Sequence, residues 1–157
     1  MEYTREMFLW QQTFATLFAV SNKLQIVGDK YIERLTSRQL MTMIAIVHLP
    51  KGQASLSEIA KKLGTTKQNT KQLISAMEKK GFVIIASSES DKRAYNVEIT
   101  ESGKDIFIVC FNRGMEFFLE IFKSFSLNEL ETFWSYLKRL YRFDGDEQDG
   151  FEEPFQQ

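Results

Sequence analysis

The sequence predicts a mainly helical chain with one small β-hairpin, an α+β arrangement, and three observations carry that prediction. Apolar residues recur at three- and four-residue steps through most of the 157 residues, the period of a one-sided helix. Thr36 and Gln39, Ser55 and Glu58, and Ser126 and Glu129 stand three apart, the spacing at which a helix start caps itself reciprocally. Strand formers concentrate in Phe82-Val83-Ile84-Ile85-Ala86 and in the alternating stretch from Tyr95 to Ile99.

Taken in order, Met7, Trp10, Phe14, Leu17, Phe18, Leu24 and Tyr31 share one stripe, so a long amphipathic helix is expected over about 4 to 32. A second helix opens at Thr36, buries Leu40, Met43, Ile44 and Val47, and stops at Pro50 and Gly52. A short third starts at Ser55 and buries Leu56, Ile59, Ala60 and Leu63, with Gly64 where a left-handed C-cap belongs. Thr66 is the expected N-cap of a fourth helix, about Lys67 to Lys80, with Thr70, Leu73, Ile74 and Met77 inward and Gly81 closing it. Two strands follow, joined by the polar stretch Ser87 to Arg93, the second placing Tyr95, Val97 and Ile99 on one face against Asn96 and Glu98. From about Glu101 the helical period returns with Phe107, Cys110, Phe111, Phe117, Phe118, Ile121 and Phe122. Ser126 opens the last helix, striped by Leu127, Leu130, Phe133, Trp134, Leu137 and Tyr141.

Net charge misleads until it is divided. The chain holds 20 Lys plus Arg against 21 Asp plus Glu, which taken whole argues against nucleic acid. Residues 36–104 hold eleven basic against six acidic residues, a local net of +5; residues 105–157 hold five against eleven, a net of −6. Six of those acids follow Phe143, in a segment without a basic residue and with Gly145, Gly150 and Pro154, expected to be an acidic, disordered tail. Of fourteen phenylalanines only Phe82 falls within 36–104. Thirteen Phe with Trp10 and Trp134 exceed what three lone helices can hide from water, so a partner surface is expected, most economically a second copy.

Two short helices joined across Gly64-Thr65-Thr66 and followed at once by a hairpin make a winged helix-turn-helix, whose second helix enters the DNA major groove while the hairpin loop reaches sideways. After its inward positions are removed, the fourth helix presents Lys67, Gln68, Asn69, Lys71, Gln72 and Ser75. Gln and Asn can pair with adenine, Lys with guanine or phosphate, and hydroxyls with bases or backbone. Thr66 and the helix N-terminus add amides for a phosphate. Asp91, Lys92 and Arg93 put two cations at the exposed loop, where Arg suits a narrow minor groove. Asp91 serves equally as a turn former or as a partner of Arg93, and an amide-rich helix face taken alone is also what a solvated face looks like.

Several pieces then match a known family in order. Leu35-Thr36-x-x-Gln39, Leu56-Ser57-Glu58-Ile59-Ala60 and Leu73-Ile74-x-x-Met77-Glu78-x-Lys80-Gly81-Phe82-Val83 precede Asp91-Lys92-Arg93 and Val97-Glu98-Ile99-Thr100-Glu101-Ser102-Gly103. The stretch Leu35 to Lys104 thereby resembles the MarR family of bacterial winged-helix transcriptional regulators. The resemblance implies a cytoplasmic homodimer with intertwined terminal helices, two winged lobes on a pseudo-palindromic double-stranded DNA operator, repression, and release by a small aromatic or amphipathic effector bound between the lobes. It makes Arg93 a minor-groove contact oriented by Asp91, with Lys92 beside them. Its domains are a dimerisation helix at 1–35, the DNA-binding lobe at 36–104, dimerisation helices at 105–143 and the acidic tail at 144–157. One departure is Ile84-Ile85-Ala86 where family members often carry arginines, which lowers the charge at the wing's base.

The remaining chemistry is sparse. One Cys and one His give too few soft ligands for a structural zinc site, and no phosphate loop, nucleophile elbow or carboxylate pair is recognisable, so neither catalysis nor a cofactor is expected. Cys110 lies on an apolar stripe as an inert thiol, and His48 ends its helix where the dipole favours it. The N-terminal stretch lacks a signal-peptide pattern and its longest apolar run is broken by Thr16, so no export and no membrane span are predicted. A rival from another class stays open: a winged-helix protein-interaction module that recruits a partner through its aromatic flanks and acidic tail and never binds DNA.

Overall fold

A computed structural model of the chain describes residues 3–87, 95–147 and 151. The predicted order is present: α1 (Arg5–Ile32), α2 (Ser37–His48), α3 (Leu56–Leu63), α4 (Lys67–Lys79), β1 (Val83–Ser87), β2 (Tyr95–Ile99), α5 (Glu101–Phe122) and α6 (Leu127–Tyr141), with a 3-10 turn at Arg142–Asp144. Each helix starts on a Ser or Thr hydroxyl that accepts the amide three residues on. Thr4, Thr36, Ser55, Thr66, Thr100 and Ser126 cap Met7, Gln39, Glu58, Asn69, Gly103 and Glu129. Each such cap is worth about 1 kcal/mol. At Thr36 and Ser126 the reciprocal side-chain bond is made as well.

The core sits in the winged lobe. Met43, Ile59, Ile74, Met77 and Val83 are wholly buried, with Leu40, Val97, Ile106 and Cys110 around them, so α2, α3, α4, the hairpin and the first half of α5 share one interior. The strands pair antiparallel from Val83 opposite Ile99 to Ser87 opposite Tyr95. On the outer edge of β2 the Val97 N–H donates to the Ala54 carbonyl at 2.8 Å, and Asn96 Nδ2 donates to the Gly52 carbonyl at 2.7 Å, which pins the loop before α3 to the hairpin. Those bonds override the expected alternation: Asn96 is buried and Tyr95 exposed. A buried amide is tolerable there because its donor is satisfied.

Two close approaches shape the joints. A Cβ on Gly103 would collide with the Phe82 carbonyl oxygen where α5 leaves the hairpin. Thr100 locks the same corner, its N–H donating to Phe82 O and its hydroxyl to Gly81 O at 2.6 Å. Between α1 and α2, a Cβ on Gly28 would lie 2.5 Å from Ser37 Oγ, and the Ser37 N–H donates to Asp29 Oδ1 at 2.6 Å.

Burial differs from expectation in two further places. Val47 is exposed, and the inner face of α2 is completed by Thr42, Ala45 and Ile46. That rotation follows from α2 being enclosed on several sides, by α1, α3, α4 and α5, so its apolar arc is wider than a single stripe. The aromatic stripes of the terminal helices are not covered by their own chain. Only Gly28 and Ile32 are buried on α1, and no residue is buried on α6.

Candidate nucleic-acid interface

The interface is built from the α3–α4 turn outward. Gly64 ends α3 at φ +63, ψ +36, a conformation that glycine adopts without the clash a Cβ brings. Thr65 N–H then closes on the Ala60 carbonyl at 3.0 Å, satisfying a helix-end acceptor. Two residues later Thr66 accepts the Asn69 amide at 3.1 Å and α4 begins. The short turn swings α4 across α3, and Thr70, Ile74 and Met77 seat it on the core.

With that face inward, Lys67, Gln68, Asn69, Lys71 and Gln72 are exposed, and Ser75 is half-buried. Thr66 is exposed too, but its hydroxyl is engaged as the cap, and Asn69 Nδ2 reaches Thr65 Oγ1 at 3.4 Å. Gln68, Lys71, Gln72 and Ser75 line one shallow open recess of about 330 Å³ together with Ala76 and Lys79. Those last two extend the same face by one turn and were legible from spacing, since Lys79 stands four residues after Ser75. Asp91, Lys92 and Arg93 lie outside the described residues. At the hairpin base, Ile84 and Ile85 are exposed on β1.

A second, larger cleft of about 1380 Å³ lies behind the turn. Phe14, Leu17 and Phe18 of α1 form one wall, Leu137, Leu140 and Tyr141 of α6 another, and the turn itself, Gly64 to Lys67, the third. Tyr141 covers Gly64. No sequence signal could have placed α6 against the turn, because the two are joined by a contact rather than by a pattern.

The isolated reactive residues take structural places. His48 Nδ1 lies 2.9 Å from the Ile44 carbonyl in the last turn of α2. Cys110 is fully buried, its Sγ 3.9 Å from the Ile32 carbonyl, and burial pushes its thiol above the ordinary range. Among the described residues no group of His, Cys, Asp and Glu is arranged to hold a metal ion, and no helix is long and apolar enough to cross a membrane.

A tri-helical helix-turn-helix with an antiparallel hairpin and long flanking helices is the winged-helix class. Within it, a model described as MarR family matches residues 35–94. The uncharacterized HTH-type transcriptional regulator YfiV of Bacillus subtilis (strain 168) is 40% identical over 63 residues, 40% of this chain and 39% of YfiV, so most of YfiV's length lies outside the match. The transcriptional activatory protein BadR of Rhodopseudomonas palustris (strain ATCC BAA-98 / CGA009) is 27% identical over 139 residues, 86% of this chain and 79% of BadR. The fold is that of S. aureus MepR in its DNA complex, at TM-score 0.73 and 21% identity over 82% of this chain and 95% of MepR. The chain thus has the winged-helix fold, and its central segment, residues 35–94, matches the MarR family.

Proposed function

We infer that this protein regulates transcription by binding a pseudo-palindromic operator as a homodimer, with α4 in the major groove and the hairpin loop, through Arg93 and Lys92 with Asp91, in the minor groove. The observation that carries the reading is the outward face of α4, where Lys67, Gln68, Asn69, Lys71 and Gln72 stand exposed together on a helix whose opposite face is fixed in the core. That set combines base-edge partners with phosphate partners. The local charge of +5 in residues 36–104 supplies the attraction.

Dimerisation is supported by the uncovered stripes. Trp10 and Phe14 are 61% and 67% exposed, and Trp134 48%, on helices with almost no buried residues. Contiguous apolar faces of this extent mark an interface. The same contrast supports a division into dimerisation helices, 1–35 and 105–143, and a DNA-binding lobe, 36–104, with Ile32, Leu35, Ile106 and Cys110 joining the lobe's core from the flanks.

The sign of regulation is repression, with release by a small aromatic or amphipathic effector in the cleft between α1, α6 and the turn. Its aromatic walls, Phe14, Phe18 and Tyr141, suit such a ligand, and it abuts the N-terminus of α4, so occupancy shifts the separation of the two recognition helices. The name of BadR favours activation instead. Selection of bound genomic fragments, followed by a reporter driven from the recovered sites with and without the protein, decides both operator and sign. Recovery of no enriched motif overturns the DNA reading.

A further inference from the structure

The end of the chain returns to the helix-turn-helix at two places. Tyr141 covers Gly64 at the turn, and just beyond it Asp144, Asp146 and Glu147 line the same cleft as Lys61 and Lys67. Farther on, Phe151 is half-buried against the hydrophobic core. Its ring meets the His48 imidazole edge-on at 5.2 Å between centroids, and Lys62 Nζ lies 5.6 Å over its face. In the sequence, Asp149, Glu152 and Glu153 flank Phe151.

We propose that the acidic C-terminal segment is a built-in competitor for the DNA backbone, anchored on the winged lobe by Phe151, with Asp144, Asp146 and Glu147 in the same cleft as Lys61 and Lys67 at the turn. The inference rests on the DNA-binding reading above. Its first support is charge: Lys61 and Lys67 flank the turn on α3 and at the start of α4. In helix-turn-helix docking the first helix crosses the backbone and the second enters by its N-terminal residues. Carboxylates in the same cleft, of which Glu147 also pairs with Arg142 at 3.6 Å, lower the positive potential around those two cations and repel an incoming phosphate. Its second support is the anchor. An acidic segment held only by surface charge would be screened away at moderate salt. Phe151 adds an apolar contact and a cation–π contact with Lys62, neither of which depends on long-range attraction. Specific operator binding, which adds base contacts, displaces the segment, whereas non-specific DNA has too little to offer. The consequence is discrimination: the segment lowers affinity for random sequence more than for the operator.

Two full-length variants test this by fluorescence anisotropy on a random-sequence duplex and on the selected operator, with thermal melts to confirm folding. Phe151→Ala removes the anchor without changing charge, and the triple variant Asp144→Asn, Asp146→Asn, Glu147→Gln removes the nearest carboxylates. Removing the negative charge from beside two lysines predicts binding to the random duplex about tenfold tighter at low salt, with a steeper salt dependence, in both variants. A smaller gain is expected on the operator. If the triple variant gains and Phe151→Ala does not, net charge alone is acting and the anchored competitor is wrong. Wild-type affinity in both variants also overturns it and leaves the DNA reading intact. If none of the three proteins binds either duplex, the DNA reading itself falls and the proposal with it.

Discussion

The Tyr141 hydroxyl lies over Gly64 so closely that a Cβ there would stand 3.2 Å from the phenol oxygen, at a residue whose φ is +63. The last helix thus touches the helix-turn-helix at a backbone position that favours glycine. Gly64→Ala should therefore destabilise the fold by about 1–2 kcal/mol from the left-handed conformation alone. Urea unfolding checks this, with a lowered midpoint at unchanged slope as the expected result.

Gly103 is constrained differently. Its backbone lies in the ordinary region, but a Cβ would strike the Phe82 carbonyl, which already accepts the Thr100 N–H. Neither group can retreat without opening the corner between β1 and α5. Gly103→Ala should cost about 1–3 kcal/mol, while Ser102→Ala, at an exposed neighbour, should leave the melting temperature nearly unchanged.

Much of this architecture was readable in advance, and the exceptions have physical reasons. Helix starts were legible because Thr36, Ser55, Thr66 and Ser126 act on amides three residues away, well inside a local window. The stripes of α1 and α6 were legible as apolar faces, but periodicity reports a face and not what covers it. The alternation that groups Asn96 with Glu98 does not report its burial, because its partner, the Gly52 carbonyl, lies 44 residues away. Phe151 was invisible inside a segment whose composition is polar and acidic, since one ring decides its placement. On the outward face of α4, residue type singles out Gln68, Lys71 and Gln72, and Lys79 joins the same recess one turn after Ser75.

On DNA, the residues of α4 should separate by role. Gln72→Ala is expected to relax preference at one base position by roughly 1–3 kcal/mol, and Lys71→Ala to weaken all sequences alike while lowering the salt slope by about 1. Titrations over an operator, a single-position mutant and a random duplex distinguish the two patterns.

Cys110 gives a prediction with a sign in pH. Burial raises its thiol, so the folded chain keeps a proton that the unfolded chain releases above the ordinary thiol range. The stabilisation is complete below that range and is lost as pH rises toward the raised value. Native protein should accordingly resist a chromogenic disulfide at about pH 8, reacting only at the rate of unfolding and promptly in denaturant. Rapid labelling of the native chain would show that the thiol is reachable.

The central claim is that the exposed face of α4 reads DNA, and salt-dependent operator affinity for the wild type and a Lys71→Ala, Gln72→Ala double variant tests it most directly. The account predicts wild-type affinity that falls steeply with added salt, and a double variant that keeps its melting temperature but loses at least tenfold in affinity with a shallower slope. Operator affinity that ignores salt, or that the double variant retains in full, would contradict it and favour a winged-helix module that binds protein instead.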